Sequence, residues 1–466
     1  MRKKFGFYVP RHDNVGIDNL IPELWAQEAL VMLEENMVAA NMVYRDYDSQ
    51  IASFGDVVNA HRPSTFNAKR KGVNDDVTVQ NAEVIGIPVT LNQHLHTSFL
   101  IRDAEMSKSF KDLAAYFLAP AMSSIAAGVD KVVLGFIPQF LANGIGALDG
   151  LTDANAIAQI LAARKLLNDN KVPLLGRKML TTTATEATLL GLAQFISAEK
   201  VGDEGTALRE ASLGRKLGSD FYMGQNTPYV QTALAETVVG AINLGAGYAA
   251  GSTILTVDGF VGDVVPVGAY VTIVGSMFPH VVTARTAAPN TTSITVTPGL
   301  KGAVIDDAVV TAYTPIAIDL PASSYAAGYV KVIHVDGYTV VPQVGQIVRT
   351  AAGDVYTIME IENDTGTECD ILLNRPLVGA LADGAVLGVG PGGSYNFNFV
   401  RDALALVTRP LALPKAPVSA SVASYNDLSV RVVMTYDGNK QGHLITIDLL
   451  CGAAVLDVRQ GAVLLG

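Results

Sequence analysis

Residues 55–91 constrain this chain more than any other stretch. Gly55-Asp-Val-Val-Asn-Ala-His-Arg-Pro63 reads as the outgoing arm of a long β-hairpin, and Val84-Ile-Gly-Ile-Pro-Val-Thr-Leu91 as the returning arm. A basic-then-acidic tip lies between them: Lys69, Arg70 and Lys71, then Asp75 and Asp76. So little apolar surface cannot hold a ribbon by itself, because an isolated two-stranded hairpin is marginally stable at best in water. The ribbon needs a platform, and the adjoining sequence offers none. A second copy of the chain would supply one. The pattern therefore points to an assembling protein rather than an enzyme.

Composition fits that reading. The 466 residues are 49% hydrophobic and only 17% charged, which suits a protein that buries subunit contacts. A net charge of −11 provides no global basic field to recruit nucleic acid. Cys369 and Cys451, far apart, give neither a disulfide framework nor a zinc spacing, and fit a reducing cytosol. Met1-Arg-Lys-Lys-Phe-Gly-Phe7 lacks the apolar run of a secretory signal. The most apolar window, Leu113 to Ile137, is broken by Pro120, Gly128, Asp130 and Lys131, so no membrane span is expected.

Periodicity sets out the elements. Pro22 followed by Glu23 starts a helix carrying Ala26, Ala29, Leu33 and Met37 on one face. On the returning hairpin arm and beyond, Ile87, Val89, Leu91 and Leu95 share one face, and Thr90, Asn92, His94 and His96 the other. A long helix follows, with Ser109 and Asp112 as its capping pair and a stripe of Phe110, Leu113, Phe117, Ile125, Val129, Val132 and Phe136. Pro120 should kink it. Another helix is expected from about Thr152 to Asn168. Near the C-terminus Leu428, Val430, Val432, Met434 and Tyr436 alternate as a strand, Asp437-Gly438 turns, and Leu444 to Leu450 returns.

Between about residues 245 and 394 helical periodicity vanishes, and Val, Ile, Thr and Gly dominate. This segment repeats itself. Asp258 recurs 78 residues later as Asp336, and Gly268, Gly302 and Val309 recur 77 residues later as Gly345, Gly379 and Val386. Agreement across four anchors predicts two tandem β-modules, each a small barrel or sandwich. Residues 247–393 also hold five Lys or Arg against thirteen Asp or Glu, which is −8 of the net −11 and suits a solvated outer surface.

No catalytic constellation stands out. His94 and His96 point the same way along a strand and could hold a metal, yet no third ligand sits at useful spacing, and an exposed polar face is the better reading. Thr181-Thr-Thr-Ala-Thr-Glu186 fits a strand end leading into a capped helix better than a threonine nucleophile. Gly214-Arg-Lys-Leu-Gly218 lacks the spacing of a phosphate loop and reads as a turn. The cluster at 69–71 has no aromatic interleaving, so a protein partner suits it better than nucleic acid. No cofactor or metal is expected.

Several segments resemble one family in their order along the chain. Gly55 to Pro63 with Phe66, and then Arg102-Asp-Ala-Glu105, look like the extended loop and its exit in tailed-phage major capsid proteins, closest to podovirus-type coat proteins with an inserted β-domain. Leu217-Gly-Ser-Asp-Phe-Tyr222 with Gln225-Asn-Thr-Pro228 is similar to part of that family's axial domain. Phe397-Asn-Phe-Val-Arg-Asp-Ala403 with Arg409-Pro410 looks like the return from the insertion, and Tyr436-Asp-Gly438 with Ile447-Asp-Leu-Leu-Cys-Gly452 like the closing strands.

The resemblance implies an α+β chain of the Hong Kong 97-type capsid fold, with two inserted all-β modules where one is common. On that map residues 1–50 are the N-terminal arm and 51–100 the extended loop. Residues 101–164 plus 426–466 form the peripheral domain, with a spine helix at about 105–140. Residues 165–246 plus 394–425 form the axial domain, and 247–316 and 325–393 are the β-modules. It further implies a non-enzymatic virion protein, assembled in the host cytoplasm, whose main partner is itself in hexamers and pentamers. Scaffolding, portal and decoration proteins are further partners, and double-stranded DNA is enclosed without sequence-specific binding. Arg62, Lys69, Arg70, Lys71, Asp75 and Asp76 are the expected inter-subunit contacts. An encapsulin-like compartment shell of the same fold is the alternative, and an adhesive or carbohydrate-binding β-module protein is a more distant one.

Overall fold

The structure is a computed structural model. It describes residues 22–45, 56–62, 66, 68–73, 76–77, 79–80, 85–102, 114–148, 151–197, 210–227, 229–230, 237–260, 265–286, 292–318, 324–328, 332–338, 340–414 and 419–466.

Alternating sequence at the C-terminal end builds the first sheet. Its long central strand, Gly442–Val455, pairs along one side with Gln93–Arg102. On the other side it pairs with Leu428–Asp437 and, farther along, with Leu404–Arg409. Ser419–Tyr425 lies outermost, beside Leu428–Asp437. Val430, Val432 and Met434 join Ile445, Ile447 and Leu449 on the buried face, as a period of two requires.

Two helices cover that face. Pro22–Asn36 starts where Pro22 and Glu23 indicate, and buries Trp25, Ala26, Ala29, Leu30 and Leu33. The central helix runs Ala119–Leu134, preceded by a π-helical turn at Ala114–Leu118 and followed by a 3-10 stretch at Ile137–Asn143. Pro120 lacks an N–H and its ring crowds the carbonyl four residues back, so the backbone is wider just before it. The expected capping pair, Ser109 and Asp112, lies outside the described residues. The stretch Tyr116–Asn143 is long and apolar enough to cross a membrane, but 67% of its most apolar window is buried within the protein.

The second sheet has the strand order Gly144–Gly146, Gly461–Leu465, Gly393–Phe399, Lys178–Thr181, Ser219–Met223 and Arg215–Lys216. Helix Ala156–Asp169 packs on it through Ala156 and Ile160, which share a core cluster with Met179 and Leu464. Thr182 caps the helix Thr183–Gly191 by accepting from the Thr185 N–H. Leu217 and Gly218 both have positive φ, 51° and 85°, and form the tight turn between Arg215–Lys216 and Ser219–Met223.

Two boundaries differ from expectation. Residues 404–409 and 419–425, expected with the second sheet, pair within the first. The C-terminal strand Gly461–Leu465, expected with the first, pairs in the second. An alternating strand reads alike in either sheet, and only the long-range partner decides where it goes.

Two closed six-stranded barrels interrupt the second sheet. The first uses strands from Thr237–Ile242 to Val309–Tyr313, and the second from Ile316–Ile318 to Val386–Val389. Their cyclic strand order is the same, and repeat-related residues occupy matching places. Tyr248 bridges Val304 in the first barrel, and 77 residues later Tyr325 bridges Leu381 in the second. Positive-φ Gly268 matches Gly345, and Asp307 matches Gly384. The barrels begin earlier than expected, at 237 and 316 rather than 247 and 325, because their first strands precede the recognisable repeat. The chain leaves the second sheet near Tyr229–Val230 and returns at Gly393–Ser394, and these residues pair with each other.

Candidate assembly surface

The hairpin has the expected form. Val57–Arg62 pairs antiparallel with Ile85–Thr90, from Val57 opposite Thr90 to Arg62 opposite Ile85. Among the described residues no third strand joins this ribbon. Its base is anchored. Ala60, Val89 and Leu91 pack with Ala405, Val407 and Leu450, and Leu91 donates its N–H to Asp56 O at 2.9 Å. Gly452 is needed at the crossing, since a Cβ there would collide with the Thr90 carbonyl.

Lys69, Arg70, Lys71 and Asp76 are exposed, and Asp75 lies outside the described residues. Arg62 ends the outgoing strand. Beside these charges stand exposed apolar side chains that the sequence reading did not single out. Val73 is 98% exposed, Val79 84% and Val77 73%. Solvent-facing valines beside three cations make a tip suited to a surface that is both apolar and acidic.

The first sheet holds charged groups whose partners come from distant strands. His94 was read beside His96 as an exposed pair without a carboxylate in reach. Asp448, directly opposite His96 across the ladder and two positions from His94, lies 3.0 Å from His94 Nε2. Arg431 Nε donates to Asp448 Oδ1 at 2.9 Å, and Arg431 Nη2 donates to Oδ2. Burial pushes the Asp448 carboxyl up, but hydrogen bonds and charge from His94 and Arg431 outweigh it and hold the group below the usual carboxylate range. This is an ion-pair clasp across three strands. Among the described residues no group of three or more His, Cys, Asp or Glu could hold a metal.

Asp130 is a second group that sequence reasoning underused. It weighed only against a membrane span, although a lone acid within an apolar helical stripe is itself a signal. In the structure it reaches the segment after the first helix, where Val38 N–H donates to Oδ2 at 3.0 Å and Ala40 N–H to Oδ1 at 2.9 Å. The central helix is also tied to the second barrel. Thr357 Oγ1 and Asn374 Nδ2 both donate to the carbonyl of Gly135 at its C-terminal end, at 2.8 and 2.9 Å.

Comparison with known proteins gives one kind of match. No family model matches the sequence, and no curated protein does. The chain is similar to phage capsid structures. A structure from Mycobacterium phage Che8 is similar at 14% identity, over 92% of this chain and 90% of that one, with a TM-score of 0.41. The capsid of cyanophage P-SCSP1u is similar at 10% identity, over 89% and 85%, also at 0.41. The mature capsid of bacteriophage PhiM1 is similar at 10% identity, over 91% and 86%, at 0.38.

Proposed function

We propose that this chain is the major capsid protein of a tailed bacteriophage. It adopts the Hong Kong 97-type arrangement, with the helix-covered first sheet as peripheral domain and the second sheet as axial domain. Copies assemble as hexamers and pentamers into an icosahedral shell around double-stranded DNA. The observation that carries this reading is the hairpin: a two-stranded ribbon with its base packed on the first sheet, whose tip exposes Val73, Val77 and Val79 beside Lys69, Arg70 and Lys71. A neighbouring subunit supplies the surface those groups lack. The concentrated acidity of residues 247–393 supports an outer, solvated position for the two barrels. Near neutrality elsewhere suits a wall that must release its genome, because a strongly basic lining would hold DNA by counterion release.

Sedimentation and electron microscopy of the purified full chain test this. Capsomers or shell-sized particles are expected. A stable monomer at every salt and protein concentration would overturn the reading.

A further inference from the structure

A groove of about 640 Å³ runs between the Pro22–Asn36 helix and the outermost strand of the first sheet, Ser419–Tyr425. Its helix wall presents Glu23, Leu30, Val31 and Glu34, and its strand wall includes Val422 and Tyr425. Val31 is 45% exposed and Tyr425 62%.

Among the described residues no strand pairs with the outer edge of Ser419–Tyr425. Such edges are usually blunted by lysine, proline or a bulge. This one, Ser-Ala-Ser-Val-Ala-Ser-Tyr, has neither charge nor proline, and its pairing with Leu428–Met434 runs without a register shift. The facing helix holds four glutamates, Glu23, Glu28, Glu34 and Glu35, and no Lys or Arg. The groove therefore suits an extended, basic segment with apolar side chains at every second position.

The chain carries such a segment at its own beginning. Arg2-Lys-Lys-Phe-Gly-Phe-Tyr-Val-Pro-Arg11 has four Lys or Arg and no acid before Asp13. Phe5, Phe7 and Val9 alternate, Lys3 and Arg11 fall on the same face, and Pro10 ends a pairing run. These residues join the groove's helix wall at Pro22, next to Glu23. Asn426 donates to Glu34 Oε1 at 2.7 Å, so the Tyr425 end of the strand lies beside the helix's last turn. A chain turning back from Pro22 would thus run antiparallel to Ser419–Tyr425, with Lys3 toward Glu34 and Arg11 toward Glu23. Residues 12–21 can span about 33 Å when extended, longer than the seven-residue strand at about 23 Å.

We propose that residues 2–11 add as a strand to the outer edge of Ser419–Tyr425 in the same chain, with Phe5, Phe7 and Val9 in the groove and the cations over Glu23 and Glu34. This does not depend on the chain forming a shell.

Hydrogen exchange of the backbone amides in 419–425 tests it, using the full chain under conditions that keep subunits apart. Deleting residues 2–11 should speed exchange there about tenfold while the central strand Gly442–Val455 stays protected. Adding a synthetic peptide of residues 1–12 should restore protection. In the intact chain, Glu23→Lys with Glu34→Lys should also speed exchange. Equal exchange with and without residues 2–11 would overturn the proposal. So would protection that grows with protein concentration, which would assign the groove to a second copy, for instance its hairpin tip.

Discussion

Asp130 keeps only 3% of its surface exposed in the middle of an apolar helix. Burial pushes its carboxyl up, against the pull of the Ala40, Val38 and Ala39 amides. Those amides lie in the turn after the first helix, so one carboxylate joins the two covering helices. Asp130→Ala should cost on the order of 3 kcal/mol in urea unfolding of the unassembled subunit, because buried amides lose their acceptor. Asp130→Asn should cost less, since one acceptor oxygen remains. His280, in the first barrel, is fully buried. Its Nδ1 lies 2.8 Å from the Pro298 carbonyl, which can only accept, and its Nε2 lies 2.9 Å from Ser276 Oγ. Nδ1 therefore carries the proton of a neutral ring, and Nε2 accepts from the serine. Burial lowers the His280 pKa below its ordinary 6.5, despite the Pro298 and Ser276 contacts. The unfolded chain takes up a proton near 6.5 that the folded chain refuses. Stability from this residue is thus full above 6.5 and is lost as pH falls from there toward the folded value. Unfolding midpoints measured between about pH 8 and 5 should fall with acid, and His280→Gln should flatten that slope.

The hairpin is the element whose sequence carried most information, and its paired strands lie within the arms read from the sequence. Local alternation and flanking turn residues suffice to define a ribbon. The exposure of Val73, Val77 and Val79 was not legible, because nothing in a short apolar run says whether the fold will cover it. Replacing Lys69, Arg70 and Lys71 together with Glu should leave subunit unfolding unchanged within about 0.5 kcal/mol, since all three are exposed. Particle yield should fall sharply, because in the proposed shell a weak contact would be repeated at every copy and would fix which neighbour is accepted. Thermal unfolding of the subunit and particle counts by microscopy check the two halves. Normal particles, or equal loss of both, would count against the hairpin as an assembly contact.

For the molecule as a whole, the two barrels are set in tandem into the second sheet at a pair of adjacent strands. Their contact with the body includes apolar packing beside the Thr357 and Asn374 hydrogen bonds to Gly135. Tyr270, Phe278, Tyr313 and Ile347 belong to the same buried cluster as the central helix and the first sheet. Replacing residues 231–392 with a short Gly/Ser linker should preserve both sheets by circular dichroism, because Tyr229–Val230 and Gly393–Ser394 already lie side by side. The shortened chain should melt earlier and bind more hydrophobic dye, since the surface that met those side chains becomes exposed. Loss of all secondary structure would show instead that the body cannot fold without the barrels.

Periodicity and turn chemistry are local, so the sequence by itself determined the first helix, the proline-altered central helix, the hairpin, the capped Thr183–Gly191 helix and the doubled β segment. The repeat was legible because positive-φ sites such as Gly268 and Gly345 must recur wherever the same turn recurs. Only the tertiary structure decided which sheet takes Leu404–Arg409 and which takes Gly461–Leu465. It also decided that Asp448 meets His94 and Arg431, and that Asp130 meets Val38 and Ala40. In each case the partners are far apart in sequence, and their pairing is set by the chain path through the core rather than by any neighbouring residue.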